Sequence, residues 1–305
     1  MASIDFWAVV LAGALTLCAP IILAGLGEIF LERTGGFNVG IEGMMLIGAV
    51  FGVIGSLLGG FWAGLATGIV AGAVLGALLG LATAWAKADI IIVGIAIGLL
   101  GTGLSTALYQ VLAPAGSNNR TAPTGPSLPL GFLADIPLIG LGLAGAGVLF
   151  YLSLVLVALS WWVLTQTRFG LRLRAVGDDE KVAIVRGISP RRYRTIAAVI
   201  AGAFAGLGGA AIPLVSIGTF TPGMTGGVGF IALAVVIIAR KQPWGLLAGA
   251  LLFSVFNSLA LLAQTQGLGL PVELYQALPY LATLIVLCVA TRHSWARQRS
   301  LAFAN

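Results

Sequence analysis

One short stretch, GGFNVGIEGMMLIG at residues 35–48, places polar side chains among glycines at the start of an apolar run. Asn38 and Glu42 could hydrogen-bond the hydroxyl groups or ring edges of a polar solute, and Phe37, Met44 and Met45 add adaptable apolar contacts. The stretch supports two interpretations. These five residues could line a solute pathway, or Asn38 could cap a helix that carries Glu42 in its first turn, where the helix dipole favours a carboxylate.

The rest of the sequence offers little for catalysis. The chain has one histidine, His293, and two cysteines, Cys18 and Cys288, each within or beside an apolar run. It contains no HExxH, CxxC or paired-carboxylate spacing. Neither Lys87 nor Lys241 has the preceding glycines that a phosphate-binding loop requires. We therefore expect no catalytic residue, metal site or cofactor in this chain. Any ATP and magnesium that drive it would be bound by another chain.

The composition indicates a membrane protein. Hydrophobic residues make up 59% of the chain and charged residues 9%, against roughly 25% charged in soluble domains. Several continuous apolar runs reach the length of about 20 residues that crosses a bilayer as a helix. We predict an all-α polytopic transmembrane helix bundle with about nine spans, in a range of 8 to 10. They lie near residues 6–26, 41–59, 61–86, 90–112, 136–165, 195–213, 227–239, 243–264 and 273–291.

The basic residues predict how the bundle is oriented. If the loop at 166–194 is cytoplasmic, every lysine and arginine except Arg120 falls on the cytoplasmic side. The positive-inside rule therefore explains the net charge of +6 better than nucleic-acid binding does. The N-terminus is expected outside and the C-terminus in the cytoplasm. The extracytoplasmic loop at 113–135, rich in proline, glycine and serine, is either a simple connection or part of a surface for an external partner.

The third apolar run carries a row of glycines at four-residue spacing, namely Gly64, Gly68, Gly72, Gly76 and Gly80. Small residues on one helical face let two backbones approach closely in a membrane. The row predicts a packing contact inside the bundle, with a dimer contact or a pathway lining as alternatives.

Two glycine-rich segments echo each other. GGFNVGIEGMMLIG and the later GGVGFIALAVVIIA, which begins at Gly226, are each followed by a similar tryptophan motif. In the predicted topology they cross the membrane in opposite directions. The echo suggests an inverted repeat, which in transporters places glycine-interrupted segments beside a pathway at the bilayer midplane; coincidence is the alternative.

The loop TRFGLRLRAVGDDEKVAIVRGISPRRYR, residues 167–194, predicts one short helix of two to three turns. Asp178, Asp179 and Glu180 would lie at its N-terminus, apolar residues recur at helical spacing at Val182, Val185 and Ile188, and Gly187 and Pro190 would end it. Such a helix is either a connector at the lipid surface or a docking helix for a soluble partner.

Several of these segments resemble a known family. LRAVGDDEKVAIVRGIS is similar to the cytoplasmic coupling segment of permease subunits of ribose-type and nucleoside-type ABC importers. ERTGGFNVGIEGMMLIGA, residues 32–49, resembles the segment that marks the nucleoside (basic membrane protein) branch, and GFIALAVVIIARKQPWGLLAGALLF, from Gly229, resembles its late spans. The resemblance covers about residues 25–290.

The resemblance implies a single permease domain, residues 1–305, that carries nucleosides across the bacterial inner membrane by alternating access, with simple sugars as the alternative cargo. Its expected partners are an ATP-binding subunit, a second permease subunit, an extracytoplasmic substrate-binding lipoprotein and membrane lipid. ATPase coupling is expected at Arg174, Ala175, Val176, Gly177, Asp178, Asp179, Val182, Val185, Gly187 and Ile188.

A different class of transporter is an alternative. In an ion-driven secondary carrier, Glu28, Glu32 and Glu42 would form the coupling relay. The cytoplasmic segment argues against that class, because a secondary carrier has no use for an ATPase-docking helix. It also argues against a channel or a purely structural bundle.

Overall fold

A computed structural model describes residues 2–112, 121–126, 146–216 and 218–265, together with Ala277 and Leu281. The regular elements in these residues are α-helices. The helices are α1 (Ala2–Glu32), α2 (Ile41–Gly59), α3 (Phe61–Ala84), α4 (Ile90–Leu112), α5 (Gly147–Gln166), α6 (Arg168–Asp178), α7 (Glu180–Val185), α8 (Pro190–Val215), α9 (Val228–Ile238) and α10 (Pro243–Thr265).

Seven of the described helices, α1 to α5, α8 and α10, are long and apolar enough to cross a membrane. They correspond to seven of the nine predicted spans, and the predicted all-α membrane bundle is confirmed. The predicted seventh span is α9, which has only 11 residues. The predicted ninth span, 273–291, lies outside the described residues apart from Ala277 and Leu281, and so does most of the 113–135 loop.

The interior of the bundle is formed by α1, α2 and α8. Two thirds or more of the residues in the most apolar stretch of each helix are buried, against 22% for α4, which therefore lies at the periphery. The side chains of Ile22, Leu26 and Met44 are fully buried among these helices. The first, second and eighth helices therefore form the core of the described bundle.

The glycine row on α3 packs against a second glycine row on α8. A Cβ atom placed on Gly72 would overlap the carbonyl oxygen of Gly202, and one on Gly202 would overlap that of Gly72. Gly68 and Gly76 meet Gly206 and Ala198 in the same way. The predicted packing contact inside the bundle is thus confirmed, since the row faces a helix of its own chain.

The 166–194 loop contains two helices where the sequence predicted one. The helix α6 ends at Asp178, and α7 begins at Glu180 with Asp179 as its N-cap. Gly187, at a φ of +73°, ends the segment as expected. The predicted single helix is wrong in extent, because α7 has six residues and Ile188 lies beyond its end. The missed helix α6 precedes the acidic turn.

Candidate functional site

The polar stretch at 35–48 forms the irregular entry to α2. Gly40 is the N-cap of α2, and the Asn38 side chain accepts a hydrogen bond from the Gly40 amide at 3.0 Å. Asn38 is fully buried, and its Nδ2 atom donates to the Met44 sulfur at 3.4 Å. The prediction that Asn38 caps the helix is therefore wrong, whereas Glu42 does lie in the first turn.

The carboxylate of Glu42 binds the start of α9, more than 180 residues along the chain. It accepts hydrogen bonds from the Thr225 hydroxyl, from the Gly227 amide at 2.9 Å and from the Gly229 amide at 2.8 Å. Gly227 is the N-cap of α9. The N-termini of α2 and α9 thus meet at one carboxylate, where both helix dipoles favour negative charge. We call Asn38, Glu42, Thr225, Gly227 and Gly229 the Glu42 junction.

The Glu42 junction lies well inside the bundle. Gly43, next to Glu42, packs against Ile97 and Gly101 of α4. Ile97 is seven residues beyond the first residue of α4, Ile90, which at a rise of 1.5 Å per residue is roughly 10 Å from that end of the helix. The two segments that echo each other in the sequence therefore meet beside α4, away from the end of that helix.

A second carboxylate supports the same segment from α1. Glu28 is fully buried, and its Oε1 atom accepts a hydrogen bond from the Asn38 amide at 2.8 Å. Its Oε2 atom has no hydrogen-bond partner among the described residues. Of the other predicted pathway residues, Phe37 is half-buried beside this segment, and Met44 and Met45 are fully buried. Pathway lining by these residues stays a prediction.

The end of α1 contacts the turn between α9 and α10. The Lys241 ammonium donates to the Glu32 carbonyl at 3.0 Å and lies 3.9 Å from the Glu32 carboxylate. The Arg33 guanidinium donates to the Lys241 carbonyl at 2.8 Å. A cavity of about 330 Å³ lies between the two segments, lined by Glu32 and Phe37 on one side and Arg240 on the other.

The loop helix α7 presents apolar side chains to solvent. The Asp179 carboxylate caps it by accepting from the amides of Lys181 at 2.8 Å and Val182 at 3.1 Å. Val182, Ile184 and Val185 are 55%, 57% and 85% exposed, while Ala183 faces inward. Three exposed branched apolar residues on a helix of six form a compact surface suited to a protein partner.

The preceding helix, α6, fastens the loop to the bundle. Val176 is buried, and Gly177 lies so close to the Arg33 carbonyl that a Cβ atom there would overlap it. Burial lowers the pKa of Arg33 and the Arg174 guanidinium lowers it further, whereas Asp178 acts in the opposite direction. Of the predicted coupling residues, Arg174, Val176 and Gly177 therefore lie against the bundle, and Val182 and Val185 face outward.

Sequence reasoning missed several residues of this arrangement, namely Thr225, Gly227, Gly229, Arg33 and Lys241. The echo between the two glycine-rich segments was the signal that could have paired Glu42 with Gly227 and Gly229. No signal in the sequence pairs Arg33 with Lys241. Among the residues that the structure describes, no group of three or more histidine, cysteine or acidic side chains could hold a metal ion.

Comparison with known proteins gives a consistent result. Residues 10–287 match the family described as branched-chain amino acid transport system, permease component. The nucleoside ABC transporter permease protein NupC of Lactococcus lactis subsp. cremoris is 35% identical over 92% of both chains. The guanosine ABC transporter permease protein NupQ of Bacillus subtilis is 31% identical over 93% of this chain and 92% of that one. The glucose ABC transporter permease protein TsgB13 of Haloferax volcanii is 26% identical over 80% of this chain and 67% of that one. The chain therefore belongs to the family of branched-chain amino acid transport system permease components.

Proposed function

We propose that this chain is the permease subunit of an ATP-driven ABC importer that carries nucleosides across the bacterial inner membrane. The observation that carries the proposal is the exposed apolar surface of α7 on a membrane bundle. It gives a separate ATPase a place to bind. The names of the relatives NupC and NupQ support nucleosides as the cargo. The chain itself would bind no cofactor, because the partner ATPase would hold ATP and magnesium.

The coupling residues divide into two groups in this proposal. Val182 and Val185, with Ile184, would contact the ATPase. Arg174, Val176 and Gly177 would pass its movement to the bundle through their contacts with the end of α1. Ala175, Asp178, Asp179, Gly187 and Ile188 complete the segment by shaping its two helices and the turn between them.

The solute pathway would run past the Glu42 junction. Two helices begin there at membrane depth, and such interrupted helices are the usual place for a transporter's pathway. Phe37, Asn38 and Glu42 share this region, whereas Met44 and Met45 would support it from the core. Alternating access would then be a change between two packings of the helices around the junction.

The remaining partners follow from the same assignment. A second permease subunit would complete the pathway, and a substrate-binding lipoprotein outside would deliver the cargo, in part to the 113–135 loop. The whole chain, 1–305, would act as one permease domain, with its N-terminus outside and its C-terminus in the cytoplasm. A simple sugar is the second candidate cargo, and the likeness to the glucose permease TsgB13 favours it.

Uptake of radiolabelled nucleosides tests the proposal. We would compare cells that lack this chain with cells that carry it, with ribose and free bases as competitors, and repeat both with an inactive companion ATPase. Nucleoside uptake that requires both the chain and the ATPase is the expected result. Unchanged nucleoside uptake with loss of sugar uptake would move the cargo to sugars, and uptake that survives without the ATPase would indicate an ion-driven carrier.

A further inference from the structure

The turn between α9 and α10 has an unusual backbone. Arg240 and Lys241 are consecutive residues with φ values of +52° and +58°, in the left-handed region that residues other than glycine rarely occupy. The turn is closed by the Lys241 amide, which donates to the Val236 carbonyl at 3.2 Å. A backbone held in this region persists only where the surrounding contacts maintain it, and such positions are common at switching segments.

Contacts from the end of α1 maintain this turn. The Arg33 guanidinium binds the Lys241 carbonyl, and the Lys241 ammonium binds the Glu32 carbonyl, so that each segment donates to the backbone of the other. The neighbouring Arg240 is exposed, and its side chain makes no hydrogen bond or ion pair with the described residues. Lys241, and not Arg240, therefore fixes the C-terminal end of α9.

The end of α1 is also where the cytoplasmic loop meets the bundle. Gly177 packs on the Arg33 carbonyl, and the Arg194 guanidinium donates to the Thr34 carbonyl at 3.4 Å. Arg194 also forms an ion pair at 2.9 Å with Glu180, the first residue of α7. A continuous set of contacts thus runs from α7 through Arg194 and Arg33 to Lys241.

We propose that Lys241 is a positioning residue that couples the docking helix α7 to the movement of α9. Displacement of α7 would shift the end of α1 through Gly177 and Arg194. Arg33 and Lys241 would then pass that shift to the C-terminal end of α9. The N-terminal end of α9 is bound to Glu42, so the helix would tilt about the Glu42 junction. The cavity between Phe37 and Arg240 gives the turn room to move. This inference rests on the proposed function as an ATP-driven permease.

The test uses the complete transporter, with its ATPase and partner permease, in proteoliposomes. It measures ATP hydrolysis with and without the loaded binding protein, together with nucleoside uptake. Lys241→Gln should lower both the stimulation of ATP hydrolysis and uptake by about 2- to 30-fold, the range of coupling through such contacts, while the ATPase stays bound. Arg240→Gln, the matched control in the same turn, should stay within about twofold of wild type. Lys241→Arg should restore part of the loss.

A double-mutant cycle separates coupling from loss of stability. If Glu180 and Lys241 belong to one path, Glu180→Gln combined with Lys241→Gln should lower the stimulation no further than Lys241→Gln alone. Additive losses would overturn the proposal, and so would a Lys241→Gln transporter that matches wild type. If the wild-type complex assembles but shows no ATP-dependent uptake, the proposed function fails instead.

Discussion

At the scale of single residues, the carboxylate of Glu42 stabilises the first turn of two helices at once. Three donors share its two oxygens, and two of them are backbone amides at the start of α9. An amide left without an acceptor in a buried position costs about 1–3 kcal/mol. The carboxylate therefore has a structural role that does not depend on whether a solute touches it.

Glu42→Gln should lower both the stability of the permease and uptake. In glutamine an NH2 group replaces one carboxylate oxygen, so that a donor would face the N–H or O–H donor that this oxygen accepts from. The negative charge at the two helix N-termini would also be lost. We expect a loss of about 1–3 kcal/mol, measured as a lower melting temperature in detergent beside a lower uptake rate.

Thr225→Val is the matched control for that substitution. It removes one donor to Glu42 but leaves the bonds from Gly227 and Gly229 in place, so its effect should be smaller, about 0.5–1.5 kcal/mol. A Glu42→Gln permease that melts like wild type would show that the junction does not depend on the charge.

At the scale of helices, the contact between α3 and α8 leaves no space for side chains. Gly72→Ala should therefore push the two backbones apart, with a loss of roughly 1–3 kcal/mol or more. The melting temperature of the purified permease measures it. Gly103→Ala on α4 is the control, because nothing lies within 4 Å of a Cβ atom there, and it should be neutral or slightly stabilising. Equal effects of the two changes would contradict close packing at Gly72.

The exposed surface of α7 gives a second prediction at this scale. Val185→Glu should weaken recovery of the ATPase with the permease by about tenfold or more, as expected for a central apolar contact of an interface. The stability of the permease itself should change by less than about 0.5 kcal/mol, because the Val185 side chain is exposed. Leu171→Glu, an equally drastic change at an exposed position of α6, is the control. Equal loss of the ATPase in both variants would mean that added charge, and not the α7 surface, is responsible. Gly177 is unsuitable for this test, since any side chain there would displace Arg33.

The helices differ in how far their sequence predicts them. Long apolar runs predict α2, α3 and α4 to within two residues, because length and hydrophobicity determine a span. The acidic turn at Asp178, Asp179 and Glu180 correctly predicted a helix start, since α7 begins at Glu180. The helix α6 was missed, since its amphipathic sequence LRLRAV resembles a basic linker. The contacts of Glu42 with Gly227 and Gly229 were missed because they join residues far apart in the chain, where the echo between the two glycine-rich segments was the one signal of a pairing.

At the scale of the whole molecule, three of the basic residues that were predicted to be cytoplasmic, Arg33, Arg194 and Lys241, are linked through contacts at the end of α1. Arg33 binds the turn at Lys241, and Arg194 binds the connection after α1 at Thr34. Arg33 and Lys241 lie in two separate connections and Arg194 lies near the start of α8, and their contacts are compatible with the topology that the charge pattern predicts.

The orientation can be measured by labelling single cysteines with a membrane-impermeant maleimide. In a background with Cys18→Ser and Cys288→Ser, Thr124→Cys should be labelled in intact cells, because residue 124 is exposed near the predicted outer face. Arg186→Cys, in the cytoplasmic loop, should be labelled only after permeabilisation. The reverse pattern would contradict the assigned orientation.

The short length of α9 determines which flank of the molecule can touch the hydrocarbon of the bilayer. Its 11 residues extend about 16 Å, roughly half of the 30 Å hydrocarbon layer. The chain reaches it through turns in which Pro222, Gly223 and Gly226 are exposed. Acyl chains cannot satisfy the peptide groups of such turns. We therefore expect this flank to be shielded by protein or by water, and the annulus of lipid to form around the sides where α3 and α4 expose their apolar faces.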